Sequence, residues 1–444
     1  MKRFALLSGF AMVVAAAVFA GTVNAPVGPA TAQAEPAVDD RRSVRVQYGA
    51  DFLSTSVMEH PFLNRVRSSS GYWTARSGEK NAALVSGGHI DPITGLPVST
   101  PAGGGAMTVG YWMVGADAYP EYFSGEYVAE WEGDASIEIY DVPAALKRRD
   151  GRNRLVFRQD KKAIKPVYLA FKDVKDDGLK DLRIYRAEDE AAVKAGELWS
   201  RTFLEFASRW DVIRTMDWQS TNNSPVRSWD DLATMESAHW GNGHRSQWPP
   251  AHYYSIPYEV LFNLGVETGS EIWVHVPVEI GSPKHHSHPD FAKDGKTPKD
   301  HAYEDAYKIR AFVRENALKI LASPEWDRYA ENFLNALDAS GYPAERPLYV
   351  EVGNEIWNYG GGFIFSSWYA WAIAEGLLDA DILEKAGDAS FGSGVLNARW
   401  QIALEAAQAR RETRYNIVYV AASHTALPAR TSWMLGAQKD YLDH

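Results

Sequence analysis

The chain of 444 residues contains no cysteine. That absence excludes disulfide staples and thiolate metal centres, and it leaves stability to an apolar core. Positive charge is also scarce: 46 Lys and Arg stand against 57 Asp and Glu, a net charge of −11. Nucleic acids and anionic membrane surfaces are held by basic patches, so neither is an expected partner. Apolar and aromatic residues, by contrast, are plentiful, with 45% hydrophobic content, 16 Trp and 22 Tyr. A chain of this length and composition is globular and long enough for two domains. Most of its aromatics belong in the core, but such a supply is also what a sugar-binding cleft uses.

Lys2-Arg3 followed by the apolar run Phe4 to Ala20 reads as a signal peptide, with Ala32-Gln33-Ala34 as a small-x-small cleavage site. Cleavage after Ala34 implies a secreted or periplasmic protein with no membrane attachment thereafter; a retained anchor is the alternative reading. Residues 35–71 then form a lead segment with a first strand, Val44–Ala50, and an early helix near Pro61 to Val66. Over 72–188 the texture changes to short alternating runs separated by Gly and Ser turns: Met107 to Met113, Gly125 to Trp131, Ser136 to Tyr140, Asn153 to Phe157, Val167 to Phe171 and Leu182 to Tyr185. Strands at that spacing describe an inserted, antiparallel, β-sandwich-like domain. In 189–444 helical periods return, and buried strands alternate with helices. The strands fall at Asp211–Asp217, Ile272–Val278, Leu348–Gly353 and Asn416–Ala421. Helices read over Glu197–Arg209, Ile256–Leu264, Tyr303–Arg314, Trp326–Ser340, Phe363–Leu378, Leu396–Arg411 and Ser432–Leu442. This alternation predicts an α/β fold with a parallel sheet.

Chemistry concentrates where the strand Tyr349 to Val352 ends in Gly353-Asn354-Glu355-Ile356-Trp357-Asn358. In a parallel α/β sheet the C-terminal rim of the strands carries the reacting groups. A carboxyl beside a carboxamide, with an indole next to it, suits sugar chemistry. The acid protonates a leaving oxygen, the amide holds a ring hydroxyl, and the indole offers a stacking face.

Gly353-Asn354-Glu355 resembles the fourth-strand motif of the retaining glycoside hydrolases of clan A, in which Asn-Glu carries the general acid/base. The resemblance extends to a group of large secreted bacterial proteins often labelled cellulose-binding. The matching segments are Ile213-Arg214-Thr215-Met216-Asp217-Trp218 with Thr221-Asn222-Asn223-Ser224, Trp273-Val274-His275-Val276-Pro277, and Tyr349 to Asn358. It implies a (β/α)8 TIM-type barrel over roughly Val44 to the C-terminus, with Glu355 as acid/base and a polysaccharide or oligosaccharide as partner. The clan's nucleophile is a Glu ending the seventh strand. Only five barrel strands are counted before His444, and no residue matches that motif. The barrel is therefore expected to be incomplete, either a fragment of a longer protein or a binder without its nucleophile.

Around Glu355 the expected substrate-binding residues are Asn354, Arg214, Asp217, Trp218, His275, Trp357 and His424. Each lies at or near the C-terminal end of a proposed strand, and Trp218 and Trp357 are the expected stacking faces. Arg214 lies inside a buried strand and needs a carboxylate partner. Glu351 is poorly placed as a second catalytic carboxylate. Four residues along a strand is ~13 Å, and a retaining pair stands about 5–5.5 Å apart; its expected role is to neutralise Arg214 or bond His275. Asp217 or Glu279 would be the partner of Glu355 in an enzyme using a different carboxylate pair. The long loop Ser220–Pro257, holding Trp229, His239, Trp240, His244, Trp248 and His252, reads as a cleft wall. His285, His286 and His288 crowd one loop, but neighbouring side chains seldom converge on one ion, so no metal is expected. Nothing in the sequence suggests a cofactor or fixes an oligomeric state.

Overall fold

The computed structural model describes residues 45–50, 60–69, 73–75, 81–102, 107–111, 123–140, 142, 144–159, 167–219, 221–222, 224, 226–241, 256–283, 299–358, 364–378, 388–424 and 427–443. The proposed signal peptide, the loop with His285, His286 and His288, and His244, Trp248 and His252 of the proposed cleft wall lie outside them.

In chain order the strands are β1 (Gln47–Gly49), β2 (Trp73–Ala75), β3 (Met107–Tyr111), β4 (Gly125–Tyr140), β5 (Lys147–Arg149), β6 (Arg154–Gln159), β7 (Val167–Arg186), β8 (Val212–Arg214), β9 (Glu271–Val276), β10 (Leu348–Val352) and β11 (Ile417–Val420). The helices are α1 (Asn81–Ser86), α2 (Glu190–Lys194), α3 (Arg201–Ala207), α4 (Tyr258–Thr268), α5 (Lys299–Leu321), α6 (Glu325–Ser340), α7 (Ile364–Leu377), α8 (Asp388–Ala409) and α9 (Pro428–Leu442).

One sheet is parallel and five-stranded, in the order β1-β8-β9-β10-β11, and every neighbouring pair in it is parallel. These are the five strands that the alternation of buried runs and helices predicts, in the predicted order. Helices occupy the connections because parallel neighbours need a crossover. The sheet has two unlike faces, and the sequence explains why. Ile213, Ile272, Val274, Val276, Leu348, Val350 and Val352 alternate onto one face and are buried. They share a core with the apolar stripes of the helices. On α6 that stripe is Trp326, Tyr329, Ala330, Phe333, Leu334 and Leu337, all with no exposed surface, at the three- and four-residue spacing of an amphipathic helix. Each large side chain buried this way contributes roughly 1.5–3 kcal/mol. The opposite face carries the polar and aromatic residues of β8, β9 and β10. Register sets Gly49, Arg214, Trp273, Tyr349 and Val418 in one row. His275, Glu351 and Val420 form the next row toward the C-terminal rim.

The second sheet lies in the chain between β1 and β8. It is antiparallel and six-stranded, in the order β2-β3-β7-β4-β6-β5. Two pairs of strands expected to be separate are each one continuous strand: β4 runs 16 residues and β7 runs 20. Glu132-Gly133-Asp134 and the stretch around Gly178 look like turns in the sequence. In the structure they are absorbed as register shifts between Glu130 and Ser136 on β4, the effect of β-bulges. This sheet has its own core, including Trp73, Trp131, Ile137, Phe157, Leu169 and Phe171.

Residues 60–69 tie the two sheets together. The expected early helix is a 3-10 turn, Arg65–Ser68, capped by the Asn64 side chain. The same carboxamide oxygen accepts Ile184 N at 3.0 Å, and its nitrogen donates to Leu182 O at 3.3 Å. Trp240 N donates to Arg67 O at 2.8 Å, and Ala238 N to Thr94 O at 2.8 Å, so the segment before α4 crosses over this junction. Among the described residues no helix is long and apolar enough to cross a membrane.

Three buried histidines make this fold acid-sensitive. His60 lies edge-on to Phe123, His239 edge-on to Trp73, and His275 within the parallel sheet. Burial holds His60 well below the ordinary 6.5, His239 down to about 3, and His275 below 6.5. The unfolded chain therefore takes up protons that the folded chain refuses. The stability they contribute is present above about pH 6.5 and lost as pH falls toward the folded values. Three such groups predict a loss of up to about 3 kcal/mol between pH 6.5 and 5.5. Urea midpoints measured from pH 8 to 5.5 check this, and a flat profile would contradict it.

Candidate functional site

β10 delivers Glu351 to the polar sheet face and Asn354 and Glu355 to the rim. Gly353 makes the change of direction possible with a φ of +65°. Its N–H donates to Val276 O at 2.8 Å, so the turn closes against β9. A Cβ there would lie 2.5 Å from Ile356 Cγ2 and 2.6 Å from Val278 Cγ1. Glu355 itself has a φ of +46°. A non-glycine residue in the left-handed region is strained by about 1–2 kcal/mol, and such strain clusters at functional positions.

Glu351 is the hub of the sheet face. Its Oε2 accepts Arg214 Nη2 at 2.9 Å, Trp273 Nε1 at 3.0 Å and His275 Nε2 at 2.9 Å. Arg214 also donates to Asn354 Oδ1 at 2.9 Å and lies 4.7 Å from the centre of the Trp273 ring. Glu351 thus performs both roles expected of it, neutralising Arg214 and bonding His275. Burial works to raise the Glu351 carboxyl, but His275 and the Arg214 guanidinium hold it below the usual carboxylate range. For His275 burial prevails and keeps the ring neutral. A neutral ring that donates from Nε2 to Glu351 leaves Nδ1 bare, and Nδ1 is buried with no partner among the described residues. A bare lone pair there costs less than an orphaned N–H, so the Nε2–H tautomer fits the site.

A second layer fixes His275 from behind. Gln219 accepts His275 N at 2.8 Å and donates to His275 O at 2.7 Å. Tyr258 donates to the same carbonyl at 2.6 Å. Thr215 Oγ1 donates to Trp273 O at 3.1 Å. Asn354 is oriented from both ends, because its Nδ2 donates to Asn222 Oδ1 at 2.8 Å. With Arg214 on its oxygen, the amide flip is determined.

Glu355 is half-buried, and Asn358 Nδ2 donates to its Oε2 at 2.9 Å. Asn358 N closes the turn on Glu355 O at 2.7 Å. Trp357 meets His424 edge-on, 4.5 Å between ring centres, and Arg430 donates to Trp357 O at 3.2 Å. The loop after β11 and the start of α9 therefore reach the 353–358 turn. Arg214, His275 and Asn354 form one bonded network, Trp357 and His424 form a second contact, and Glu355 lies between them in the chain.

Trp218 departs from the sequence reading. It has no exposed surface and packs against Phe62, Trp199 and Phe203. The turn over 216–219 folds the indole back into the helix-side core, so it offers no stacking face. Asp217 is half-buried in the same turn. Glu279 is 2% exposed, and its Oε2 accepts Arg227 Nε at 3.0 Å, so this carboxylate is committed to an ion pair. Of the expected cleft wall, Trp240 is internal at 2% exposed, and Trp229 is half-buried and stacks on Tyr258. Gln219, Tyr258 and Asn358 escaped the sequence reading. Of these, only Asn358 carried a signal, being three residues beyond Glu355 in the same turn. Among the described residues no cluster of three His, Asp or Glu side chains could hold a metal ion.

Comparisons with protein-family models, curated proteins and solved structures returned no match to this chain.

Removing the hub charge exposes its weight. Glu351→Gln leaves the half-buried Arg214 without its carboxylate, which predicts a stability loss of about 3 kcal/mol in urea unfolding at pH 7.5. A loss under about 1 kcal/mol would show that Arg214 finds solvent instead.

Proposed function

We propose that the chain is a secreted glycoside hydrolase-like protein that acts on a plant or microbial polysaccharide, with Glu355 as general acid/base. In this reading the five parallel strands are the first part of a (β/α)8 barrel of the clan A type, and Ala34 ends a signal peptide. The observation that carries it is the rim turn of β10. A strained Glu355, its carboxylate held by Asn358, follows an Asn354 that is tethered at both ends. An amide fixed by Arg214 and Asn222 is preorganised to meet a ring hydroxyl, and Trp357 beside His424 supplies apolar surface near the same turn. His275 and Glu351 serve the site from below by fixing Arg214.

A second reading, a polysaccharide-binding protein without hydrolysis, is supported by the fate of the other carboxylates. Glu351 is bonded to Arg214, Trp273 and His275, and Glu279 is paired with Arg227. Neither is available to act as nucleophile opposite Glu355.

Glu355→Gln tests the first reading. In the longest natural version of the protein it is expected to abolish hydrolysis of polysaccharide while largely keeping the first step on an aryl glycoside whose leaving group needs no protonation. Activity unchanged from that of the unaltered protein on both substrates would remove Glu355 from the mechanism. Saccharide binding without turnover by the unaltered protein would select the second reading.

A further inference from the structure

A cavity of about 290 Å³ lies at the junction between the two sheets. It is lined by Arg67, Asp91, Val98, Lys180, Asp181 and Glu236, among others, none of which belongs to the β10 rim. Arg67 comes from the strap that joins the sheets, Asp91 and Val98 from the turn after α1, Lys180 and Asp181 from the bulged part of β7, and Glu236 from the segment before α4.

Arg67 sets the chemistry of this space. Its guanidinium lies 4.2 Å from the centre of the Trp240 ring, and one nitrogen, Nη1, donates to Ser237 O. Among the described residues it has no carboxylate in ion-pair contact. Asp181, whose charge acts on Arg67, is bound through both oxygens to Arg183. Burial accordingly lowers Arg67 to about 10, with Asp181 opposing and Arg183 adding to the shift. A half-buried guanidinium stacked on one face, bonded through one nitrogen and facing an open space is a fork without its counter-ion. Arg227 and Arg214, by contrast, are each completed by a protein carboxylate, Glu279 and Glu351.

The rest of the lining limits what can enter. Two cations and three carboxylates border the space, but Asp181 is already paired with Arg183, so Arg67 and Lys180 stand against Asp91 and Glu236. In a lining balanced in this way, a singly charged carboxylate bearing hydroxyls is opposed less than a doubly charged anion such as phosphate or sulfate. Its carboxylate meets Arg67, and a hydroxyl can donate to Glu236. We propose that this cavity is a second saccharide site that holds one uronate unit of an acidic polysaccharide through Arg67. The choice of a sugar acid over other hydroxy acids rests on the saccharide reading of the β10 rim; the cavity and its cation do not.

Calorimetric titration of the full chain with sodium glucuronate, galacturonate and their short oligomers tests the proposal, against the methyl esters, glucose, acetate and sulfate. Uronates are expected to bind about tenfold or more tightly than their methyl esters and than acetate. Arg67→Lys, which keeps the charge but loses the planar fork, is expected to weaken that binding about tenfold. Val98→Trp, which fills the cavity, is expected to abolish it, and it guards against a folding defect confined to the Arg67 variant. The readout here is uronate binding lost in the cavity variants and the readout at the rim is hydrolysis, so failure at the rim and failure at this cavity are distinguished. Methyl esters or acetate binding as tightly as the uronates would overturn the proposal. So would uronate binding that survives both cavity variants, or no detectable binding of any uronate.

Discussion

A single buried oxygen, Glu351 Oε2, takes three donors from three different residues on two neighbouring strands. Arg214, Trp273 and His275, and through Arg214 the rim residue Asn354, are arranged around it. A carboxylate taken out of water needs such compensation, and Arg214, Trp273 and His275 supply it. In return, Arg214 is held where its other bond can reach Asn354 at the rim. The site is thus built from the sheet outward: a buried charge positions a cation, the cation positions an amide, and the amide precedes Glu355. Rigid strands carry the first two members, which gives the rim residues a firmer base than a loop could.

The strand pattern was legible because each parallel strand separates two chemistries by alternation. Ile272, Val274 and Val276 on one side of β9, against Trp273 and His275 on the other, leave little freedom in which face meets the helices. Glu355 stood out because a left-handed glycine before it marks the end of a buried strand. Trp218 was misread for a physical reason. Position at a strand end fixes the start of a loop, not the direction it takes, and the 216–219 turn folds back under α3. Gln219 could not be read at all: it pairs with the backbone of His275 across 56 residues of chain, and no local pattern announces such a contact. The fusion of β4 and β7 was hidden because a bulge and a turn use the same residues.

The two sheets meet through a narrow set of contacts, and the polar chemistry of that junction differs from that of the rim. At the rim every charge that is buried has its counter-charge. At the junction Arg67 is stacked and bonded but not neutralised. His60 and His239, both kept neutral by burial, border the same region. The junction is therefore the part of the fold most exposed to acid and most open to an anionic ligand, while the parallel sheet is closed on itself through Glu351.

The central claim is that Glu351 and Arg214 act as one unit that fixes the rim. A double-mutant cycle on Glu351→Leu and Arg214→Met, read by urea unfolding at pH 7.5, measures their coupling directly. Two charges that depend on each other in a buried site should couple by about 2 kcal/mol or more, the double variant being less damaged than the sum of the singles. Additive losses within about 0.5 kcal/mol would contradict the account.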